Sequence, residues 1–279
     1  MRQWRLLRTG NRSPAENMAI DEAILIAYGE GGGVPTIRFY GWNPPTLSIG
    51  CFQKAEREID FDRLRERGIG FVRRPTGGRA VLHDRELTYS LVVSEGDVPR
   101  SVTESYRELS IWLLEGFRRL GLEADMAART DGIGRAGRAP AFATAACFDS
   151  PSWYELVVDG RKIAGSAQMR SRGAVLQHGS VPLELDADKL FGVLRYPNEQ
   201  ERALAAAAFA RKAASVNELL VARGRPPIDV AEAEQVFTEA FAAAMGAVLV
   251  PGELTEEERK LADVLVREKY GADEWNLRR

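Results

Sequence analysis

The chain has 279 residues, with 38 lysines and arginines against 40 aspartates and glutamates and a formal net charge of −2. That length holds one large domain, or a main body with a small appendage, and leaves ample chain for a hydrophobic core. Near-balanced charge removes the simplest argument for a nucleic-acid binder, 45% apolar residues point to a globular chain, and two cysteines with two histidines make neither a disulfide framework nor a multi-Cys/His zinc cluster.

The longest apolar runs, such as 203–210, fall short of the roughly 18 residues that a membrane span needs. The opening Met1-Arg2-Gln3 carries no apolar leader core, so a cytoplasmic protein is expected.

In chain order, residues 4–10 read as a short strand ending at Gly10. Ser13 followed by Pro14 predicts a capped helix start, and Met18, Ile20, Ala23, Ile24 and Ala27 continue it with amphipathic spacing. Residues 36–42 and 46–52, rich in β-branched and aromatic side chains, predict two strands around an Asn43-Pro44-Pro45 turn, and 61–68 a short helix. The stretch 70–94 has strand character on both sides of Pro75–Gly78, which predicts a tight loop within a sheet.

Residues 101–121 predict one helix, capped by Ser101 or Thr103 and ended by Gly121. Residues 127–146, rich in Ala, Gly and Arg, predict a mobile surface loop, and 152–186 three strands turning at Asp159-Gly160 and Arg172-Gly173. Beyond Asp186 helices are expected near 187–193, 201–212, 216–222, 229–245 and 253–268. Strands mixed with helices, then a helical tail, predict an α/β or α+β enzyme core with a small C-terminal subdomain and no internal repeat.

The run Arg73–Asp84, RRPTGGRAVLHD, concentrates the unusual chemistry. Gly77 and Gly78 let the backbone approach a ligand, and Arg73, Arg74 and Arg79 supply charge for an anionic group. The spacing fits neither a P-loop nor a dinucleotide fingerprint, so a solvated basic turn stands beside the ligand-loop reading. His83 and Asp84 are adjacent, and neighbours in a strand face opposite ways, so each is expected to bond separately near the loop. His178 is expected to brace a strand end, with substrate contact as the alternative.

Cys147 lies at a loop–strand junction, where a thiol is accessible, whereas Cys51, within an apolar run, reads as a buried structural cysteine. Lys162 sits one hairpin beyond Cys147, and an ammonium returning to a thiol favours the thiolate; an ordinary turn lysine is the competing reading.

RRPTGGRAVLHD and DGRKIAGSAQ (159–168) together resemble the lipoate-protein ligase family and its octanoyltransferase members, within the biotinyl/lipoyl protein-ligase superfamily. The likeness runs from about Trp4 to Arg279, and the block 147–168 is nearest to the octanoyltransferases of Gram-positive bacteria. It implies a mixed α/β fold with a central mixed sheet, a small second sheet and surrounding helices: an acyltransferase domain over 1–250 and a helical extension over 251–279.

The same resemblance makes Cys147 the acyl-accepting nucleophile and Lys162 the residue that positions the thioester carbonyl. It assigns Arg73, Gly77, Gly78, His83 and Asp84 to the acyl pocket and Gly165, Ser166 and Ala167 to its neighbouring wall. The implied donor is octanoyl-acyl carrier protein, and the acceptor is the glycine cleavage H protein or another lipoyl domain. Neither cofactor nor metal is implied, and neither nucleic acid nor membrane.

Lipoate ligases usually carry Arg-Asn-Asp where this chain has Cys147-Phe148-Asp149, and a third glycine where it has Arg79. The cysteine amidotransferase branch has a Cys-Pro-Gly context and lacks RRPTGG. The departures favour covalent transfer over adenylation. An ATP-dependent ligase and a non-catalytic carrier-binding module are the alternatives.

Overall fold

The computed structural model describes residues 2–31, 33–128 and 154–278. Strand β1 (Arg2–Arg12) buries Trp4, Leu6 and Leu7 and runs two residues past the predicted Gly10. Helix α1 (Pro14–Gly31) then starts as Ser13-Pro14 predicts. The Ser13 N–H donates to the Glu16 carboxylate at 2.9 Å and the Glu16 N–H returns to Ser13 Oγ at 3.3 Å, a reciprocal cap. Met18, Ala19, Ile20, Ala23, Ile24 and Leu25 are all buried, so the helix is enclosed on more than the one face that an amphipathic reading gives.

Strands β2 (Thr36–Trp42) and β3 (Thr46–Ile49), helices α2 (Ala55–Glu58) and α3 (Phe61–Glu66), and strands β4 (Gly70–Arg73), β5 (Val81–His83) and β6 (Glu86–Ser94) follow. The predicted single helix over 101–121 is two, α4 (Val102–Glu108) and α5 (Ile111–Arg119). The break comes at Leu109-Ser110, where the Leu109 carbonyl is taken by Trp112 Nε1 at 2.9 Å and Gln177 Nε2 at 3.3 Å. Ser101 caps α4 and Gly121 follows α5 at φ +71°, both as expected.

Next come β7 (Asp125–Ala128), β8 (Tyr154–Val158), β9 (Arg161–Ser171) and β10 (Ala174–Pro182). The last three are the predicted strands. Their turns hold Asp159, Gly160, Arg172 and Gly173 at φ of 51, 73, 54 and 76°, the left-handed pairs that tight two-residue hairpins require. Helices α6 (Ala187–Phe191), α7 (Glu199–Lys212), α8 (Val216–Ala222) and α9 (Val230–Ala244) match the expected positions; β11 (Ala247–Pro251) was not foreseen. Helix α10 (Glu256–Leu265), a π turn over 266–270 and α11 (Asp273–Asn276) end the fold.

The larger sheet has the order β11-β1-β2-β6-β10-β9-β8-β7, parallel from β11 through β2 and antiparallel beyond. The small sheet has β3 at its centre, parallel to β4 and antiparallel to β5. The segment between β4 and β5 therefore crosses from one edge of this sheet to the other, so the RRPTGG run is a crossover and not a hairpin.

One core packs Trp112, Phe117, Phe237 and Phe241 on one face of the large sheet; a second lies under the small sheet, and a third surrounds α1. The expected boundary at 250 falls inside β11, and Ala262 and Tyr270 beyond it belong to the α1 core. Among the described residues, no helix is long and apolar enough to cross a membrane.

Candidate acyl-transfer site

Register places the site where the two sheets meet. His178 and Ser180 on β10 pair with Ala167 and Gly165 on β9 and with Ser90 and Thr88 on β6, and Arg38 and Tyr40 on β2 continue the row. By strand alternation these residues share one face, the one that α1 and the 74–80 crossover cover. Between them lies a slot of about 50 Å³, lined among others by Met18, Tyr40, Trp42, Gly78, His83 and Gly165.

The polar groups beside this slot are already engaged. His83 stacks on Trp42 with ring centres 4.3 Å apart, and its Nδ1 lies 2.6 Å from the Glu86 carboxylate and its Nε2 2.6 Å from Ser48 Oγ. Ser48 Oγ in turn accepts from Arg74 at 2.6 Å, and the Arg74 terminal nitrogens also donate to the carbonyls of Ser48, Gly77 and Arg79. Thr88 accepts from Trp42 Nε1 at 2.9 Å and donates to Glu86 at 2.5 Å. Arg74 thus holds the crossover in place from within, which is why the loop keeps a fixed wall against the slot.

A second network lies below. Asp21 on α1 accepts from Arg38 at 2.7 Å, Ser90 at 2.7 Å, Tyr40 at 2.9 Å and His178 Nδ1 at 3.2 Å. Burial pushes the Asp21 carboxyl up, but the Arg38 guanidinium and the bonds from His178 and Ser90 outweigh it and hold the group below its ordinary value. Burial pulls His178 down against the pull of Asp21, which keeps the imidazole neutral, with Nε2 2.7 Å from the Thr76 hydroxyl. Burial and the neighbouring Asp21 charge raise Tyr40 well above its ordinary value, so it remains a hydroxyl donor.

Lys162, at the start of β9, is buried, with Nζ 3.1 Å from Glu155 on the adjacent β8. Its Cε lies 3.9 Å from where a Cβ on Gly165 would sit, so the ammonium stem adjoins the glycine wall of the slot. Cys147 and residues 129–146 of the expected 127–146 loop lie outside the described residues, while Ala127 and Ala128 are not loop but the end of β7, paired with β8.

The predicted pocket residues divide. His83, Gly78, Gly165 and Ala167 line the slot. Ser166 lines it as well, with its hydroxyl engaged by Tyr89 OH at 2.7 Å. Gly77 is not among the slot-lining residues and lies next to the Phe52 ring. Arg73 turns away, fully buried, and bonds the carbonyls of Gly50, Cys51, Gln53, Trp275, Asn276 and Arg278, so its place is a clamp on the C-terminal segment and not the pocket. Asp84 also faces away from the slot and pairs with Lys189 at 2.6 Å.

His178 reaches the slot directly. Cys51 is half-buried in the turn after β3, not sealed in a strand, because its N–H is spent on the Thr76 carbonyl of the crossover. Asp21, Trp42, Glu86 and Thr88 escaped the sequence reading. Asp21 left one signal, a carboxylate, followed by Glu22, inside the apolar register of α1.

Residues 13–242 match the lipoyl protein ligase A/B catalytic domain. An octanoyltransferase LipM of Kyrpidia tusciae is 55% identical over 281 aligned residues, covering 100% of each chain. One from Bacillus subtilis is 49% identical, covering 99% of this chain and 98% of its own. Among solved structures, a lipoate-protein ligase A bound with ATP superposes with a TM-score of 0.79 at 27% identity, covering 99% of both chains. A bipartite lipoate protein ligase of Thermoplasma acidophilum gives 0.81 at 28%, covering 99% of this chain and 97% of its own.

Proposed function

The chain belongs to the family of lipoyl protein ligase A/B catalytic domains, and from that premise we propose that it moves octanoyl from octanoyl-acyl carrier protein to a lysine of the glycine cleavage H protein or another lipoyl domain. Octanoyl transfer in protein lipoylation is its activity, in line with relatives of that name alike over their full length. The structural observation that carries the reading is the slot itself: apolar walls, neutral or internally paired polar groups, and a lysine whose stem adjoins the Gly165 wall.

Transfer runs in two steps. The Cys147 thiolate attacks the thioester carbonyl of the donor, its C–S bond to the carrier breaks, and the carrier leaves as a thiol after taking a proton. The ε-amine of the acceptor lysine then attacks the S-octanoyl enzyme, loses its proton, and expels the Cys147 thiolate as the amide forms. Thioester exchange is nearly balanced, so amide formation drives the sequence. Lys162, oriented by Glu155, stabilises the developing oxyanion with its positive charge, gives a proton to the departing Cys147 sulfur and takes back the one that the amine loses.

An alkyl chain in this slot replaces no bond, because Arg74, His83, Thr88 and His178 keep their protein partners. Widening of the slot must accompany entry, since about 50 Å³ is less than the share of two waters, at about 30 Å³ each. Two fewer methylenes in the donor weaken binding by about 1.6 kcal/mol, somewhat over tenfold, at about 0.8 kcal/mol per buried CH₂. The helical extension over 251–279 belongs to the same working unit as the 1–250 body, held to it by Arg73.

The ATP-bound ligase of like fold keeps adenylation of a free acid as a second reading. Incubating the protein with octanoyl-acyl carrier protein and a lipoyl domain without ATP separates the two. Formation of the octanoyl amide supports transfer, and a strict requirement for ATP with free octanoate or lipoate replaces it.

A further inference from the structure

Phe52, in the turn after β3, is 89% exposed, the most exposed large apolar side chain among the described residues. The turn that presents it is firmly held. Arg73 bonds the carbonyls of Gly50, Cys51 and Gln53 at 3.2, 3.3 and 2.7 Å, Arg278 reaches the Cys51 carbonyl at 3.4 Å, and the Cys51 N–H donates to Thr76 at 2.8 Å. The ring borders the slot's outer wall: a Cβ on Gly77 would meet it at 4.0 Å, and Gly78 next door lines the slot.

Beside the ring, a groove of about 370 Å³ separates α2 from the C-terminal segment, lined by Lys54, Ala55, Glu56, Arg57, Leu277 and Arg278. Arg79 adds a further cation, 3.9 Å from Glu58, whose carboxylate also accepts from Gln53 at 2.7 Å. Lys54, Arg57, Arg79 and Arg278 against Glu56 and Glu58 make four cations to two carboxylates, on a chain whose whole charge is −2. A second copy meeting this face symmetrically would set these cations against each other, which disfavours self-association here. An acidic protein surface complements it.

We infer that Phe52 and the Lys54–Arg57–Arg278 groove form the docking face for the acidic acyl carrier protein that delivers the thioester, an assignment that rests on the octanoyl-transfer reading. Phe52 supplies the apolar anchor and the cations steer the encounter, beside the wall through which the acyl arm reaches the slot.

The test pairs direct binding with kinetics. Fluorescence anisotropy with labelled holo-acyl carrier protein reads affinity without chemistry, on the wild type, Phe52→Ala and the double variant Lys54→Glu/Arg57→Glu. Acyl-enzyme formation is then compared between octanoyl-acyl carrier protein and octanoyl-pantetheine, which lacks the protein. Both variants should bind the carrier at least tenfold more weakly, the wild-type affinity should fall with salt, and the preference for carrier over the small thioester should fall by a similar factor.

Carrier binding unchanged in both variants overturns the docking face. So does an equal loss with both donors, which marks a folding or catalytic defect, or a loss confined to transfer onto the lipoyl domain, which gives the face to the acceptor. A wild type that binds the carrier through these residues yet forms no acyl-enzyme overturns the transfer reading alone.

Discussion

Gly165 and Gly179 both border the slot, yet a methyl group at each has opposite consequences. At Gly179 a Cβ would lie 2.5 Å from the Gly165 carbonyl oxygen, 2.7 Å from Ser166 Oγ and 2.9 Å from a Tyr89 ring carbon. The first is backbone of the paired strand β9, so the ladder must open. Such overpacking costs about 1–3 kcal/mol, and parting Tyr89 from the half-buried Ser166 loses a hydrogen bond for about 0.5–1.5 kcal/mol more. At roughly 2–4 °C per kcal/mol for a chain of this size, Gly179→Ala should lower Tm by about 3–18 °C.

At Gly165 the nearest atom is Lys162 Cε at 3.9 Å, an ordinary contact. Gly165→Ala should leave Tm unchanged or raise it slightly, by up to about 1 kcal/mol from reduced unfolded-state entropy, while slowing transfer because the methyl enters the slot beside Lys162. Differential scanning fluorimetry with a transfer assay reads both. Ser166→Ala added to Gly179→Ala should restore only part of the loss, since the backbone clash remains. Equal destabilisation by the two single variants, or a harmless Gly179→Ala, refutes the close-approach argument.

Other expectations are narrower. Arg73→Lys cannot reproduce the clamp's fork and should cost roughly 3 kcal/mol, with faster hydrogen exchange over 275–278; unchanged exchange there would remove the clamp role. Asp84→Ala breaks a partly exposed ion pair with Lys189, so it should shift stability by less than about 1 kcal/mol and leave the transfer rate intact; a large rate loss would return Asp84 to the site. His178 is depressed by burial, with Asp21 opposing, so above its ordinary 6.5 both states are neutral. Below that value the unfolded chain binds the extra proton and stability falls. Thermal melts of His178→Asn between pH 7 and 5.5 should show a shallower decline than the wild type, and parallel curves would contradict the neutral assignment.

Much of the architecture was written in local signals. Ser13-Pro14, Asp159-Gly160 and Arg172-Gly173 fix a cap and two turns with chemistry confined to a few neighbouring residues, and all three appear as read. β11 was missed because three of its five residues are exposed and it gains its definition from pairing with β1, more than 200 residues away. The break between α4 and α5 depends on Gln177 from β10, a partner invisible to helical periodicity.

The site was legible in its residue types but not in their directions. Arg73 and Arg74 are adjacent, and only the strand's alternation with the C-terminal segment sends one to the tail and the other beneath the loop. The same alternation separates His83 from Asp84, as the sequence reading anticipated. Asp21, the acceptor for four buried donors, comes from a helix more than 50 residues before the glycine-rich run, and no spacing rule connects them.

The central claim is that the acyl group passes through Cys147. Intact-protein mass spectrometry after mixing the protein with octanoyl-acyl carrier protein, without ATP, tests it directly, with Cys147→Ala as the control. The wild type should gain one octanoyl group and the variant none. An adduct that persists in Cys147→Ala, or octanoyl transfer by that variant at the wild-type rate, would contradict it.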